Sequence, residues 1–280
     1  MNARNLMHVE GILGFKDGMI SALESVPGIS DVTVFGSCAD GSCDEFSDLD
    51  IRATTIDIEL TRPQLYHALS RTDTIELEWP IEEAPGNWAA TFVFMHLSPL
   101  RRLDLNIGST SEEQPGHDPK RSGTFSGPAD RTGQASSAYR PNIGSIEHYT
   151  ISHLLGTTRY AKARRRGQLL SCWRFASALV DAVIATGYSG IAETGWMLAG
   201  LTTHEYRDAD LRLDPSRRSA LIGEMDFSNP NAMDRTVVLL AGRLIANYRM
   251  LESPVPIPDR LLRRLSDCTA HLLEQSQPRR

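Results

Sequence analysis

The chain has 280 residues, 41% of them hydrophobic and 23% charged, enough for one large domain or two modest ones with separate cores. It holds no run of eighteen apolar residues, and its start (MNARNLMHVEG) lacks the apolar stretch of a secretory signal, so neither a membrane span nor export is expected. A formal net charge of -6 argues against gripping long nucleic acid by charge alone, and four scattered cysteines, Cys38, Cys43, Cys172 and Cys268, suit a reduced, cytoplasmic setting.

Ile12, Phe15, Met19, Ala22 and Leu23 recur at helical spacing, which predicts a helix over 9–25 ended by Pro27-Gly28. Residues 31–35 (DVTVF) read as a short buried strand. A Gly/Ser/Asp-rich turn follows, then 48–54 (DLDIRAT) reads as a second strand. A helix over 63–71, capped by Thr61, precedes strands over 74–79, 89–96 and 102–107, with Ser98-Pro99 turning the last pair. These elements predict an α/β (α+β) domain around one mixed sheet, spanning 1–110. Residues 111–144 are rich in Gly, Ser and Pro. They are read as a hairpin turning at Asp130-Arg131-Thr132-Gly133, with linker or lid around it. From Ser145 the pattern is helical, over 146–166, 169–186, 191–200, 216–225, 231–251 and 258–274. That predicts a bundle-like domain over 145–280. No internal repeat is present.

The chemistry gathers in Val34-Phe35-Gly36-Ser37, ten residues, then Asp48-Leu49-Asp50-Ile51. Side chains alternate along a strand, so Asp48 and Asp50 project from one face, roughly 6.5–7 Å apart along the backbone. Two such carboxylates converge on a pair of cations about 3.5–4 Å apart, and hard oxygen ligands favour magnesium. Gly36 permits close approach of the backbone, and the Ser37 hydroxyl with the amides after it could hold phosphate oxygens. Leu103-Asp104-Leu105 supplies a third acid on another strand, where an isolated Asp between leucines needs a cation or hydrogen bonds. Asp104 is the expected base for an attacking hydroxyl, and all three acids are expected metal ligands.

Gly36-Ser37, Asp48-x-Asp50 and Asp104, in that order and on those strands, resemble the nucleotidyltransferase superfamily that includes DNA polymerase beta and the antibiotic nucleotidyltransferases. The resemblance covers about residues 9–108. It implies two Mg2+ ions, a nucleoside triphosphate, ATP above all, as co-substrate, and in-line transfer of a nucleotide with release of pyrophosphate. The stretch Arg159-Tyr160-Ala161-Lys162 through Arg166-Gly167 resembles the aminoglycoside and lincosamide branch, where a basic helix ending in Arg-Gly lies beside the nucleotide. Arg159, Lys162 and Arg166 fall at i, i+3 and i+7 on one helical face, the alternative being a solvated basic face. Of 29 basic residues only Lys16, Lys120 and Lys162 are lysines, and Lys162 is the one at a fitting place.

Arg52 shares the face of Asp48 and Asp50, and Asn106 that of Asp104; Arg52 is expected to touch a phosphate or pair with a carboxylate. Cys38 and Cys43 flank the turn without two further zinc ligands nearby and are read as ordinary small residues. Arg264-x6-His271 matches a nuclease spacing of small helical domains, a pattern that one Arg and one His produce readily by chance. Glu76, Glu78, Glu82 and Glu83 around Trp79 either hold a polycationic acceptor or form a solvated strand edge. The sequence thus points to adenylyl transfer onto a hydroxyl of a small molecule such as an aminoglycoside or lincosamide. The alternatives are a toxin-like transferase acting on tRNA or protein, and a degenerate nucleotide-binding or antitoxin module. No membrane partner is expected, tRNA stays open as a substrate, and so does a homodimer.

Overall fold

The computed structural model describes residues 9–44, 46–99, 101–110, 138–187, 215–251 and 256–274. The chain divides into two compact units, Met1–Arg140 and Pro141–Arg280. The expected turn at 130–133 and the expected helix over 191–200 lie outside the described residues.

In the first unit, α1 (Val9–Glu24) leads into β1 (Ile29–Phe35), the short helix α2 (Ser37–Asp40) and β2 (Leu49–Thr55). Then come α3 (Ile58–Thr72), β3 (Ile75–Ala84), β4 (Asn87–Phe94) and β5 (Arg102–Ser109). The five strands form one mixed sheet in the order β1-β2-β5-β4-β3, in which β2 and β5 run parallel and the other pairs antiparallel. Alternation divides β2 cleanly. Leu49, Ile51 and Ala53 are buried, whereas Asp50 and Arg52 face the other way. The apolar face of β2 and β5 packs with Phe15, Met19 and Leu23 of α1 and with Leu65 and Leu69 of α3 in one core. Each fully buried Leu or Met there contributes roughly 1.5–3 kcal/mol. The carboxylates therefore stand on the face turned away from α1 and α3.

Three sequence expectations change. β1 is an edge strand with Ser30, Asp31, Thr33 and Phe35 exposed, not a buried one, in keeping with its polar residues. α3 starts at Ile58, earlier than Pro63, because the Asp57 carboxylate accepts from the Leu60 N–H at 3.1 Å and caps the helix there. Thr61 is not the cap: its hydroxyl donates to the Asp57 carbonyl at 2.6 Å. β3 runs on through Pro80 to Ala84, since an edge strand tolerates a residue without an N–H, and its register shifts between Pro80 and Glu82. Tyr139 bonds the outer side of β3, giving its N–H to Glu76 O at 2.9 Å and accepting from Glu78 N at 3.0 Å.

In the second unit, α4 (Ile146–Arg165) is capped by Ser145, whose hydroxyl accepts from His148 N at 3.1 Å. α5 (Leu169–Gly187), α6 (Pro215–Glu224), α7 (Pro230–Arg249) and α8 (Asp259–Glu274) follow. α4 is buried on most sides and packs against α5, α7 and α8. Among the described residues α5 alone reaches the length and mean hydropathy, 1.4, of a membrane-crossing helix. It also carries Arg174 and Asp181 and buries Cys172, Ala176, Leu179 and Val183 within the bundle. Those are features of a core helix. The protein is thus α/β in class, with a mixed sheet in its first unit and helices in its second.

Candidate functional site

The site is assembled at the ends of β1, β2 and β5. Gly36 ends β1 and precedes α2 with φ +66, and a Cβ placed on it would lie 2.5 Å from Asp50 Oδ2. Only glycine both adopts this backbone and lets the Asp50 carboxylate lie against the turn. Ser37 opens α2 half-buried. Lys16 Nζ donates to the Cys38 carbonyl at 3.4 Å, tying α2 to α1.

Cys38 and Cys43 form a disulfide, with Cα atoms 4.6 Å apart, which corrects the reading of them as ordinary small residues. Gly41, with φ +80, reverses the chain between them. Beyond Cys43, the Asp44 carboxylate accepts from Phe46 N at 3.0 Å and from the Ser47 hydroxyl at 2.9 Å. This tight turn delivers the chain to Asp48 in a fixed position.

Asp50 and Asp104 are direct register partners on the parallel strands β2 and β5, so their side chains leave the sheet side by side. Asp104 Oδ1 accepts from the Thr91 hydroxyl of β4, its own register partner, at 2.6 Å. Asp48 stands one residue before β2 and is reached by Arg102, the first residue of β5. Nη2 of Arg102 lies 2.7 Å from Asp48 Oδ2, and its Nε lies 3.7 Å from Asp104 Oδ1. The Arg102 side chain is 1% exposed. Desolvation alone would depress its pKa, but the charges of Asp48, Asp104 and Asp50 together hold it above the ordinary value.

Sequence reasoning missed Arg102 and Thr91. Arg102 shares the face of Asp104 by alternation, two residues upstream, which was the available signal. Thr91 becomes a neighbour only through strand pairing.

Arg52 is exposed, with its guanidinium 5.9 Å from the centre of the Phe35 ring. Among the described residues, that aromatic contact is the one the structure gives it. Asn106 is half-buried beside it in register. The acidic run of β3 divides. Glu78 is buried and accepts from Arg140 Nε at 2.7 Å, and Glu83 pairs with Arg140 and, at 3.5 Å, with Arg62. Glu78 is thus not part of a solvated edge. In the second unit, Arg159 is half-buried on α4, Lys162 is 4% exposed, and Arg166 is the exposed C-cap before Gly167. Burial therefore separates the three residues that helical spacing groups together. Arg264 and His271 lie on α8, half-buried and exposed respectively.

Three carboxylates are a hard-oxygen donor set of the kind magnesium takes, commonly through one or two of them. Among the described residues no group of three His, Cys, Asp or Glu side chains is arranged to hold a metal ion. Asp50 and Asp104 are adjacent in register. Asp48 is engaged with Arg102.

No family model and no curated protein matches the chain. An aminoglycoside 6-adenyltransferase from Bacillus subtilis, known as a crystal structure, aligns over 94% of this chain and 92% of its own. Identity is 14% and the TM-score 0.27, a likeness too slight to carry any part of the argument.

Proposed function

We propose that this chain is a magnesium-dependent nucleotidyltransferase that moves a nucleoside monophosphate, AMP from ATP first of all, onto a hydroxyl of a small acceptor, releasing pyrophosphate. The observation that carries the reading is the register pair Asp50–Asp104 set beside Gly36, where the missing Cβ brings a carboxylate against the turn after β1. An acid pair meeting a close-approach turn is suited to a divalent ion and the phosphate groups that accompany it.

In this reading the acceptor oxygen bonds to the α-phosphorus as the bond from that phosphorus to the bridging oxygen breaks, and pyrophosphate leaves with the electron pair. Asp104 takes the acceptor proton on a carboxylate oriented by the Thr91 hydroxyl. Asp50 and Asp104 would hold magnesium, which when bound supplies the Lewis acidity that makes the hydroxyl a better nucleophile. Ser37 and the amides after Gly36 hold the outer phosphates. The aminoglycoside or lincosamide class of acceptor, and the assignment of Arg159, Lys162 and Arg166 to the triphosphate, rest on the sequence resemblance alone.

The test is incubation with each of the four nucleoside triphosphates and Mg2+ against panels of antibiotics and tRNAs, with products read by mass spectrometry. The expected result is one nucleotide added to an antibiotic, with pyrophosphate released in equal amount. Addition to tRNA instead would move the acceptor to the macromolecular class. No product from a protein that binds Mg-NTP would overturn the small-molecule reading.

A further inference from the structure

Cys38 and Cys43 close a ring within the connection between β1 and β2, five residues apart in sequence and with Cα atoms 4.6 Å apart. Cys38 directly follows Ser37 on α2, and Cys43 directly precedes the Asp44 turn that leads to Asp48. The bond therefore joins the two arms of the loop that sets the Gly36–Ser37 turn beside the acids. It ties no distant elements together. The entropy a disulfide removes from the unfolded chain grows with the loop it closes, so a bridge this short contributes least to the stability of the fold. The loop also has bonds of its own. Ala39 N donates to Gly36 O at 3.0 Å, and Asp40 Oδ1 accepts from Ser42 N at 2.9 Å and from the Ser42 hydroxyl at 2.6 Å. Lys16 holds the Cys38 carbonyl. None of these bonds needs the sulfur bridge.

The two sulfurs sit in different surroundings. Cys38 is 8% exposed, and its Sγ lies 3.6 Å from the Asp48 carbonyl oxygen. Once reduced, the Cys38 thiol has an acceptor already in place, so opening the bridge leaves no buried S–H unmatched. Cys43 is half-buried and is the sulfur a reductant reaches more easily. We propose that the Cys38–Cys43 disulfide is a reversible redox clamp on the Gly36–Ser37 turn. Closed, it fixes Ser37 relative to Asp48; open, it frees the Cys43 arm and weakens the hold on a phosphate chain. In the opening step a thiolate of a dithiol reductant attacks Cys43 Sγ, the bond between the two sulfurs breaks, and Cys38 leaves as a thiolate that takes up a proton. The reductant's other thiol then displaces Cys43 from the mixed disulfide. The reductant ends as a disulfide, and its electron pair and both protons pass to the protein. Exchange with a disulfide oxidant reverses the sequence. The effect on a phosphate chain rests on the proposed function, whereas the redox step does not.

The experiment compares the full-length protein after treatment with oxidised and with reduced dithiothreitol, the reagents then being removed without air. Peptide mapping after alkylation is expected to find Cys38 and Cys43 blocked in the first sample and labelled in the second, reversibly and in the folded protein. Cys172 is the internal control: burial pushes its thiol up to about 11, and it should stay unlabelled in both. Amide hydrogen exchange over 37–44 should rise on reduction while that of β2 to β5 is unchanged, and the melting temperature should fall only slightly. Affinity for inorganic tripolyphosphate with Mg2+ should fall roughly five- to tenfold, the worth of one well-placed hydrogen bond. Cys43→Ser should show the reduced values after either treatment, and Cys268→Ser the wild-type response. Should Cys43→Ser fail to fold, wild type in its two states decides. The clamp is overturned if both cysteines still label after oxidation, or if reduction unfolds the whole first unit, as loss of a structural staple would. Equal exchange over 37–44 in the two states, or equal affinity for tripolyphosphate, would also overturn it. If neither state binds tripolyphosphate, the proposed reaction loses its phosphate site, and labelling and exchange still decide the clamp.

Discussion

The Asp48–Asp50–Asp104 face of the first unit and the Asp234 cluster of the second both set acids against an arginine, with very different completeness. Asp234, 2% exposed, accepts the Tyr160 hydroxyl at 2.8 Å and Arg164 Nε at 3.1 and 3.2 Å on its two oxygens. Arg164 Nη2 goes on to Asn231 Oδ1 at 3.1 Å. Burial, together with the Asp234 contact, pushes the Tyr160 hydroxyl well above its ordinary pKa, so it remains a donor. One acid meets one arginine there, and the cluster is closed. On the sheet face three acids surround one buried arginine whose Nε and Nη1 have no hydrogen-bond partner. Matched polar groups hold a fold together, whereas crowded like charges oppose it and are kept where a ligand uses them. The contrast sets a closed structural cluster beside the candidate site, and it can be broken by variants on either side.

The largest effect is expected at Asp104. Replacing it with Asn should lower nucleotide transfer roughly a thousandfold, the consequence of losing several kcal/mol of transition-state stabilisation, while the melting temperature stays close to wild type. Steady-state assay and calorimetry on the same preparation check this. Asp234→Ala should do the reverse. It strips the buried Tyr160 hydroxyl and Arg164 of their acceptor and should lower unfolding free energy by about 3 kcal/mol, read by urea titration. Gly36→Ala is intermediate. The added Cβ meets Asp50 Oδ2 at 2.5 Å in a left-handed backbone. The expected outcome is a loss of about 1–3 kcal/mol in stability with a fall in transfer as Asp50 is displaced.

The smallest effect is a pH dependence in the second unit. Crowding by protein depresses the pKa of His153, although the Tyr149 carbonyl at 2.9 Å and the charge of Asp181 partly offset it. The folded state therefore prefers the neutral ring. Stability is full above the ordinary histidine value of about 6.5 and is lost as pH falls from there toward the lowered folded value. Denaturant titrations at pH 7.5 and 5.5 should show this drop in wild type and a smaller one in His153→Gln.

Much of the first unit was legible because alternation is a strong signal on a half-buried strand. Leu49, Ile51 and Ala53 against Asp50 and Arg52 define two faces of β2 before any pairing is known. Gly36 stood out for the same local reason, a turn needing close approach. What depended on pairing was not legible. Pro80 reads as a stop until β3 is known to lie at the sheet edge, and β1 reads as buried until it is known to lie at the other. Asp57 outcompetes Thr61 as a cap only once the Thr61 hydroxyl is drawn to the Asp57 carbonyl and to Thr55, at 2.6 and 2.7 Å. Cys38 and Cys43, five residues apart, gave no sign of pairing, since the Gly41 reversal brings them together. Glu78 looked like part of an acidic surface because its partner, Arg140, lies 62 residues downstream. Arg102 was overlooked for the opposite reason. It lies next to the motif, yet its meaning comes from Asp48, 54 residues away.

The central claim is that the acids of the sheet face serve a cation and a phosphoryl reaction at the expense of stability. Transfer and melting temperature measured together on Asp50→Asn/Asp104→Asn test it most directly. The account predicts that transfer is abolished while the melting temperature, read without metal, is unchanged or raised, because two repelling charges have been removed. Full transfer by this double variant would contradict the account.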